Sequence, residues 1–263
     1  MKLHFLIAAS LCFTPVLIAQ TGHAATSGTL SPKTTLPIVF KSGLDANHAH
    51  AGDVVHARTT QSVALSDGKV LPAGAEVTGH VIAANAFALD KTPYAVQKQS
   101  SLSIRFDTIS SNSATFPLNV YVRAIADPVT SWGARESTGT DDTLATVTQI
   151  GGDVLTPSQS EVVSQDGDIV GYNRRGGVYA HLIAASGNAP NGCDGSDTEV
   201  SVGIYSASAC GLYGFTGTRL QQTGKTGEPS TLVLTSNRVA PKVWKNSTAL
   251  LEVLSQDQVV ATR

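Results

Sequence analysis

Cysteine and charged residues are both scarce in this chain of 263 residues, and each scarcity argues against a class of function. The sequence contains three cysteines and no C-x-x-C pair of the kind that carries redox chemistry. Charged residues make up 14% of the chain, and the formal net charge is −2. This balance leaves no excess of lysine and arginine to bind nucleic acid or anionic lipid over a broad face, so we predict no nucleic-acid partner.

Long hydrophobic runs are also missing, apart from one at the N-terminus. Lys2 precedes an apolar run from Phe5 to Ala19, and the small residues Ala24 and Ala25 follow it. This order is typical of a secretory signal peptide, here residues 1–25, and the run is shorter than the roughly 20 residues that span a bilayer. We therefore predict an exported protein, periplasmic or secreted, with no transmembrane span in the mature chain.

Removal of the leader discards Cys12 and leaves two cysteines, Cys193 and Cys210. Thiols oxidise in the compartments that exported proteins reach, so we predict a disulfide between these two residues. In the chain-entropy model, closing a loop of this size stabilises the fold by about 3 kcal/mol. Two separate buried thiols are the alternative.

Alternating hydrophobic and polar residues dominate the segment 36–125. Val55 and Ala57 alternate with His56 and Arg58, which is the pattern of a strand with one buried face. Five or six such strands, separated by turn residues, predict a β-barrel-like domain over 36–125. The fold class is therefore mainly β, a small barrel or sandwich.

The second half of the chain lacks this regular alternation. Glycine-rich breaks predict a partly irregular inserted region over 126–229, which contains the disulfide. Within it, Leu144 to Val163 is compatible with one or two helices, because Pro157 suits a helix first turn. Renewed alternation predicts that residues 230–263 form C-terminal strands that return to the barrel.

Four segments resemble a known family in their order along the chain. They are Gly52–Thr60, Val70–Val81 with its Pro72-Ala73-Gly74 corner, Leu102–Phe106 and Phe116–Leu118. Together they resemble the C-terminal β-barrel of the TrbI-like bridging subunit of type IV secretion channels. The resemblance covers about a third of the chain and implies a closing strand near Ser247–Leu254. Beyond its leader, this chain lacks the membrane anchor and the Pro-rich stretch of that family.

Four groups of residues are candidates for metal or phosphate binding, and each also fits a solvated surface. They are the histidines His48, His50, His56 and His80, the acidic segments 166–168 and 194–199, and the sequence Gly224-Lys225-Thr226. No cysteine, aspartate or glutamate is placed to complete a metal site with the histidines. Neither acidic segment fits an EF-hand, and Arg219 stands where a phosphate-binding loop has glycine. We predict no catalytic residue, no metal and no cofactor.

A ligand or partner surface is the remaining candidate site. Arg174 and Arg175 lie in a Gly-rich turn suited to an anionic partner, and Tyr213 and Phe215 belong to a set of scattered aromatic residues. From the resemblance to the TrbI-like barrel and the absence of a nucleophile, metal or cofactor motif, we predict an exported, non-enzymatic structural or interaction module of the bacterial cell envelope, with envelope proteins as partners. One alternative is a secreted hydrolase that acts on polysaccharide or peptide, and another is a soluble binding protein for an envelope ligand.

Overall fold

A computed structural model describes residues 29–89, 93, 96–111, 114–135, 145–222 and 231–254. The predicted leader, residues 1–25, lies outside these ranges, as does Gly224-Lys225-Thr226. The described chain is mainly β, as the alternation predicted. No helix formed by the described residues is long and apolar enough to cross a membrane.

Strands account for about half of the described chain, and they are numbered in chain order. The first nine are β1 (Thr35–Phe40), β2 (Leu44–Asp45), β3 (Val54–Thr59), β4 (Val63–Ala64), β5 (Val70–Leu71), β6 (Glu76–Asn85), β7 (Ser100–Ser111), β8 (Ala114–Pro117) and β9 (Val120–Ala126). After a short helix, α1 (Pro128–Gly133), come β10 (Val147–Thr148), β11 (Val154–Thr156), β12 (Glu161–Val163), β13 (Ile169–Arg174), β14 (Gly177–Leu182) and β15 (Ser196–Ser201). The last five are β16 (Gly211–Tyr213), β17 (Arg219–Gln222), β18 (Thr231–Ser236), β19 (Lys242–Val243) and β20 (Thr248–Val253).

Nine of these strands form a nearly closed, barrel-like sheet. Their order is β16-β9-β20-β1-β3-β6-β7-β18-β17, with β8 added beside β7. Neighbours in the sheet are antiparallel except β16 and β9, which run parallel. The C-terminal strand β20 lies between β1 and β9, so both ends of the described chain meet in the sheet.

The buried face of the barrel is mostly aliphatic. On β3, Val55 and Ala57 are buried while His56 and Arg58 are exposed, which confirms the predicted alternation. Large side chains from several strands fill the interior and leave it without buried charge: Leu36, Ile38, Phe40, Val77, Val81, Leu102, Ile104, Phe106, Ile109, Leu232, Leu234 and Leu251. Burial of this apolar surface is the main stabilising contribution to the barrel.

Three adjacent strands, β1, β20 and β9, are buried on both faces. The outer faces of β9 and β20 pack against Ala134, Ile150, Tyr205 and Ala209, and part of a second sheet lies against β1. Strands β10 to β15 form a six-stranded antiparallel meander in which each strand pairs with the next along the chain. Part of this second sheet packs outside the barrel, since hydrogen bonds and buried side chains join β15 to β1.

The helix predicted within Leu144 to Val163 is wrong for the described part of that range. The segment instead contributes β10, β11 and β12, with Val154 opposite Val163 across one hairpin. Pro157 lies in the tight turn of that hairpin, where the Ser160 N–H donates to the Pro157 carbonyl and Ser160 has φ near +57°. Proline sets φ equally well for a turn and for a helix start, so pairing with β12 decides the outcome.

The meander is hydrogen-bonded to the barrel by the side chain of Gln61, just after β3. Its Nε2 donates to the Val178 carbonyl at 2.8 Å, and its Oε1 accepts from the Val178 N–H at 3.0 Å. The Gln61 side chain thus makes the pair of hydrogen bonds to β14 that the backbone of a neighbouring strand would make. Thr35 adds a second link, since its hydroxyl donates to the Ser201 carbonyl at 2.5 Å. Because a buried amide needs partners for both its atoms, Gln61 fixes where the meander lies.

Candidate functional site

The predicted disulfide is present and joins the end of the meander to the strand that returns to the barrel. Cys193 and Cys210 are bonded with an S–S distance of 2.05 Å. Cys193 pairs with Ala185 in an isolated bridge after β14, and Cys210 directly precedes β16. The bond therefore closes the connection between the two sheets.

The two arginines of the predicted ligand surface lie on the meander. Arg174 ends β13, where its Nη1 is 2.5 Å from Glu199 Oε2 and its guanidinium lies 5.1 Å from the centre of the Tyr172 ring. Arg175 is exposed in the adjoining turn. A surface for an anionic partner at these residues stays a prediction, with the charge of Arg174 already paired to Glu199.

The two aromatic residues of that predicted surface lie elsewhere, at β16. The Tyr213 hydroxyl accepts a hydrogen bond from the Cys210 N–H at 3.0 Å. Phe215 is buried, and its ring centre lies 5.4 Å from that of Trp244. The arginines and this aromatic pair thus contact different parts of the molecule.

One cluster of ionisable side chains is buried between the two sheets. Arg123 is fully buried, and its Nη1 lies 3.4 Å from Glu252 Oε2. Its other hydrogen bonds go to the Tyr121 hydroxyl on the same strand and to the carbonyls of Asp194, Ile183 and Ala207, which lie outside the barrel strands. The Arg123 guanidinium therefore joins β9 to the far end of the meander.

The carboxyl group of Glu252 belongs to the same cluster. Burial raises its pKa above the ordinary value, and this effect exceeds the opposite effects of the Tyr121 hydroxyl and Arg123. The Tyr121 hydroxyl donates to Glu252 Oε2 at 2.5 Å, and burial raises the pKa of Tyr121 as well. Perturbed groups of this kind often mark active sites, but structural ion pairs also produce them. Here Tyr121, Arg123 and Glu252 all lie on barrel strands, and the carbonyls that accept from Arg123 lie in the segments next to β14 and β15.

Two of the histidines considered as candidate metal ligands have carboxylate partners on neighbouring strands. His56 lies 3.3 Å from Glu76, and His80 lies 2.6 Å from Asp107, on the outer face of the barrel. In the part of the chain that the structure describes, no three histidine, cysteine, aspartate or glutamate side chains are grouped as a metal site would require. Segment 166–168 forms the hairpin turn between β12 and β13.

A concave surface forms around Trp244, and we call it the Trp244 cleft. The short strands β2 and β19 pair as a separate two-stranded sheet, with Lys242 opposite Asp45. These strands and the turns beside them line a cleft of about 400 Å³ that is open to solvent. Its lining consists of Gly43, Leu44, Asp45, His48, Ala49, Asp53, Lys242, Val243, Trp244 and Lys245.

The backbone of Trp244 is held in a tight turn, and 41% of the residue is exposed. The Trp244 backbone N–H donates to Ser247 Oγ at 3.2 Å, and Ser247 N–H donates back to the Trp244 carbonyl. This turn includes Asn246 in the left-handed region, with φ near +69°. The indole packs beside the buried Phe215 ring, with the ring centres 5.4 Å apart. Trp244 therefore presents a partly exposed aromatic side chain to the cleft.

Charged side chains of both signs surround this surface. Asp45 Oδ2 lies 2.7 Å from Lys242 Nζ and 3.6 Å from His48 Nδ1. Partial burial by itself would raise the pKa of Asp45. Hydrogen bonds from Lys242 and the Asn47 N–H, together with the charge of Lys242, outweigh this effect, so the pKa lies below its ordinary value. Asp45 is therefore an ionised acceptor across the neutral pH range.

The sequence analysis missed this cleft, although parts of its signal were present. Trp244 stands in the polar run Lys242-Val-Trp-Lys-Asn-Ser247, where a large aromatic residue has few apolar neighbours to bury it. Asp45 and His48 lie in the N-terminal part of the chain, and only the pairing of β2 with β19 brings them to Trp244. No family model, no curated protein and no solved structure among those compared with this chain matches it.

Proposed function

We propose that this chain is an exported, non-enzymatic binding module of the bacterial cell envelope, which acts through the Trp244 cleft. The observation that carries the proposal is a partly exposed tryptophan, packed beside Phe215, among charged side chains in an open concavity. Small-ligand sites typically combine an apolar surface with a few charged or polar groups that orient the ligand. Exposed tryptophan is also typical of the residues that dominate binding interfaces.

Two further features support an envelope role. The Cys193–Cys210 disulfide is compatible with an oxidising compartment, and it agrees with the leader predicted over residues 1–25. The resemblance of the first barrel strands to TrbI-like proteins favours a place near a secretion channel, with envelope proteins as neighbours. A nearly closed barrel with a filled interior suits a structural role of this kind.

The alternative of a secreted hydrolase has less support at this cleft. A glycosidase needs one carboxylic acid that stays protonated near neutral pH, so its pKa must be raised. Asp45 has the opposite shift, because Lys242 and the Asn47 N–H favour its ionised form. The raised pKa of Glu252 occurs at a residue only 6% exposed, away from the cleft lining.

Cell fractionation tests the proposal. The full chain, with its leader and a C-terminal tag, would be produced in a bacterial host as wild type, Trp244→Leu and Trp132→Leu. We expect wild type to remain with the envelope fraction after export and Trp244→Leu to lose most of that retention. Trp132 is the matched control, because it is also exposed but lies on α1.

Three results would contradict the proposal. One is a chain found only as a monomer in the medium, and another is equal retention of Trp244→Leu and wild type. The third is catalytic turnover by the purified protein on peptide or polysaccharide that a single substitution abolishes.

A further inference from the structure

We propose that the Trp244 cleft binds the hexopyranose rings of a polysaccharide, with one sugar ring stacked on the exposed face of the indole. This inference names a ligand class for the proposed binding function and rests on it. Three properties of the cleft carry the argument: the aromatic platform, the balance of charge around it, and its size.

The platform presents a flat, electron-rich surface. The face of an aromatic ring carries negative charge density, which attracts weakly positive C–H groups. A hexopyranose has one face of such C–H groups and a rim of hydroxyls, so it matches an indole bordered by polar side chains. Phe215 packs beside the indole, and the turn to Ser247 orders the backbone of Trp244. A backbone that is ordered before binding reduces the entropy lost when a ligand binds.

The charge balance of the cleft favours a neutral ligand. Its lining contains two carboxylates, Asp45 and Asp53, and two lysines, Lys242 and Lys245, with His48 beside them. An anionic ligand such as phosphate would meet as many negative as positive groups, and so would a cationic ligand. A sugar hydroxyl both donates and accepts, so it can bond to either kind of group.

The acceptors and donors at the rim remain available for such bonds. Asp45 is ionised, and its carboxylate accepts from Lys242 through one oxygen and from the Asn47 N–H through the other. Carboxylates have about four acceptor positions, so each oxygen can take a further hydroxyl. Hydrogen bonds to charged groups are the stronger ones, which favours their use with a polyhydroxylated ligand.

The size of the cleft fits a small number of rings. A volume of about 400 Å³ lies in the lower part of the range for small-ligand sites. The cleft is open to solvent, which leaves room for a longer chain to continue past it. We therefore expect recognition of one or two sugar units within a polymer, and weak affinity for each unit.

Tryptophan fluorescence provides a direct test, because the whole sequence has two tryptophans, Trp132 and Trp244. The variant Trp132→Phe leaves Trp244 as the sole indole. We expect cellohexaose or chitohexaose to change its emission in a saturable way. Inorganic phosphate and tetramethylammonium chloride are the probes for anionic and cationic ligands, and we expect no saturable response to either.

Calorimetric titration of variants separates ring stacking from simple apolar contact. Trp244→Leu keeps a large apolar side chain against Phe215 but removes the aromatic face, and we expect about tenfold weaker binding of the hexasaccharide. Trp244→Tyr keeps a smaller aromatic face and should recover part of the affinity. Trp132→Leu is the control and should bind as wild type does. Circular dichroism would verify that each variant is folded.

The inference is overturned if neither hexasaccharide changes Trp244 emission, or if Trp244→Leu and Trp132→Leu weaken binding equally. Saturable binding of phosphate or tetramethylammonium in place of sugar would also overturn it. Envelope retention that depends on Trp244 without sugar binding would refute the ligand class and leave the binding function intact. Sugar binding by a chain that never associates with the envelope would support the ligand class and refute the envelope role.

Discussion

Replacing Arg123 with methionine is expected to destabilise the protein by about 3–5 kcal/mol, the range found when one partner of a buried ion pair is removed. The substitution leaves the Glu252 carboxylate buried without its cation. It also removes the hydrogen-bond donor from the carbonyls of Asp194 and Ile183. Urea denaturation of the purified protein at neutral pH would measure the loss.

The same variant should depend on pH in a defined direction. Burial already raises the pKa of Glu252, and removal of Arg123 raises it further. A raised folded-state pKa gives stability that is present below the ordinary value and is lost as pH rises through the raised one. The deficit of Arg123→Met should therefore be smaller near pH 4 than near pH 7.

Two variants serve as controls for the Arg123 prediction. Arg58 is exposed on the outer face of β3, so Arg58→Met should change stability by less than about 0.5 kcal/mol. The double variant Arg123→Met/Glu252→Gln should regain part of the loss, because a neutral amide replaces the unpaired charge. A single variant as stable as wild type would show that Arg123 does not hold the two sheets together.

Removing the disulfide is expected to destabilise the protein by about 3 kcal/mol in the chain-entropy model. Cys193 and Cys210 are 17 residues apart, and their bond closes the connection by which the chain leaves the meander for β16. In the doubly substituted Cys193→Ser/Cys210→Ser protein this connection is free in the unfolded state. Denaturation of wild type with and without a reducing agent provides the comparison.

The Ser/Ser variant should be insensitive to the reducing agent, and reduced wild type should match it. Asp194 follows Cys193 directly and accepts a hydrogen bond from Arg123, so the disulfide and the ion pair act at one junction. Contacting sites are not additive, so combining both changes should give a loss that differs from the sum. Equal stability of wild type with and without the reductant would contradict this role of the bond.

How well each strand could be predicted from the sequence depends on whether one of its faces is exposed to solvent. Strand β3 has one solvated face, so its side chains alternate and the strand was predicted correctly. Strand β1 is buried on both faces, which removes the alternation that marks a strand boundary. The segment from Val147 to Val163 consists of strands of two or three residues, too short to show any period, and a helix was predicted there instead.

The site was less predictable than the fold because it depends on contacts between distant parts of the chain. The disulfide was predicted because export and an even number of cysteines leave few alternatives. Helix α1 was missed, although Asp127 and Pro128 form a typical helix start, with Asp127 accepting from the Thr130 N–H. Trp244 becomes part of a cleft only through β2, and no local pattern records that pairing.

The central claim is that this protein binds its ligand at the Trp244 cleft and at no other face of the described chain. Amide hydrogen exchange, followed by mass spectrometry on the purified protein with and without the hexasaccharide that binds more tightly, cellohexaose or chitohexaose, tests it most directly. We expect slower exchange in peptides that cover residues 43–53 and 241–247, with unchanged exchange over β12 to β14. Slower exchange confined to the meander, or no change at saturating hexasaccharide, would contradict the claim.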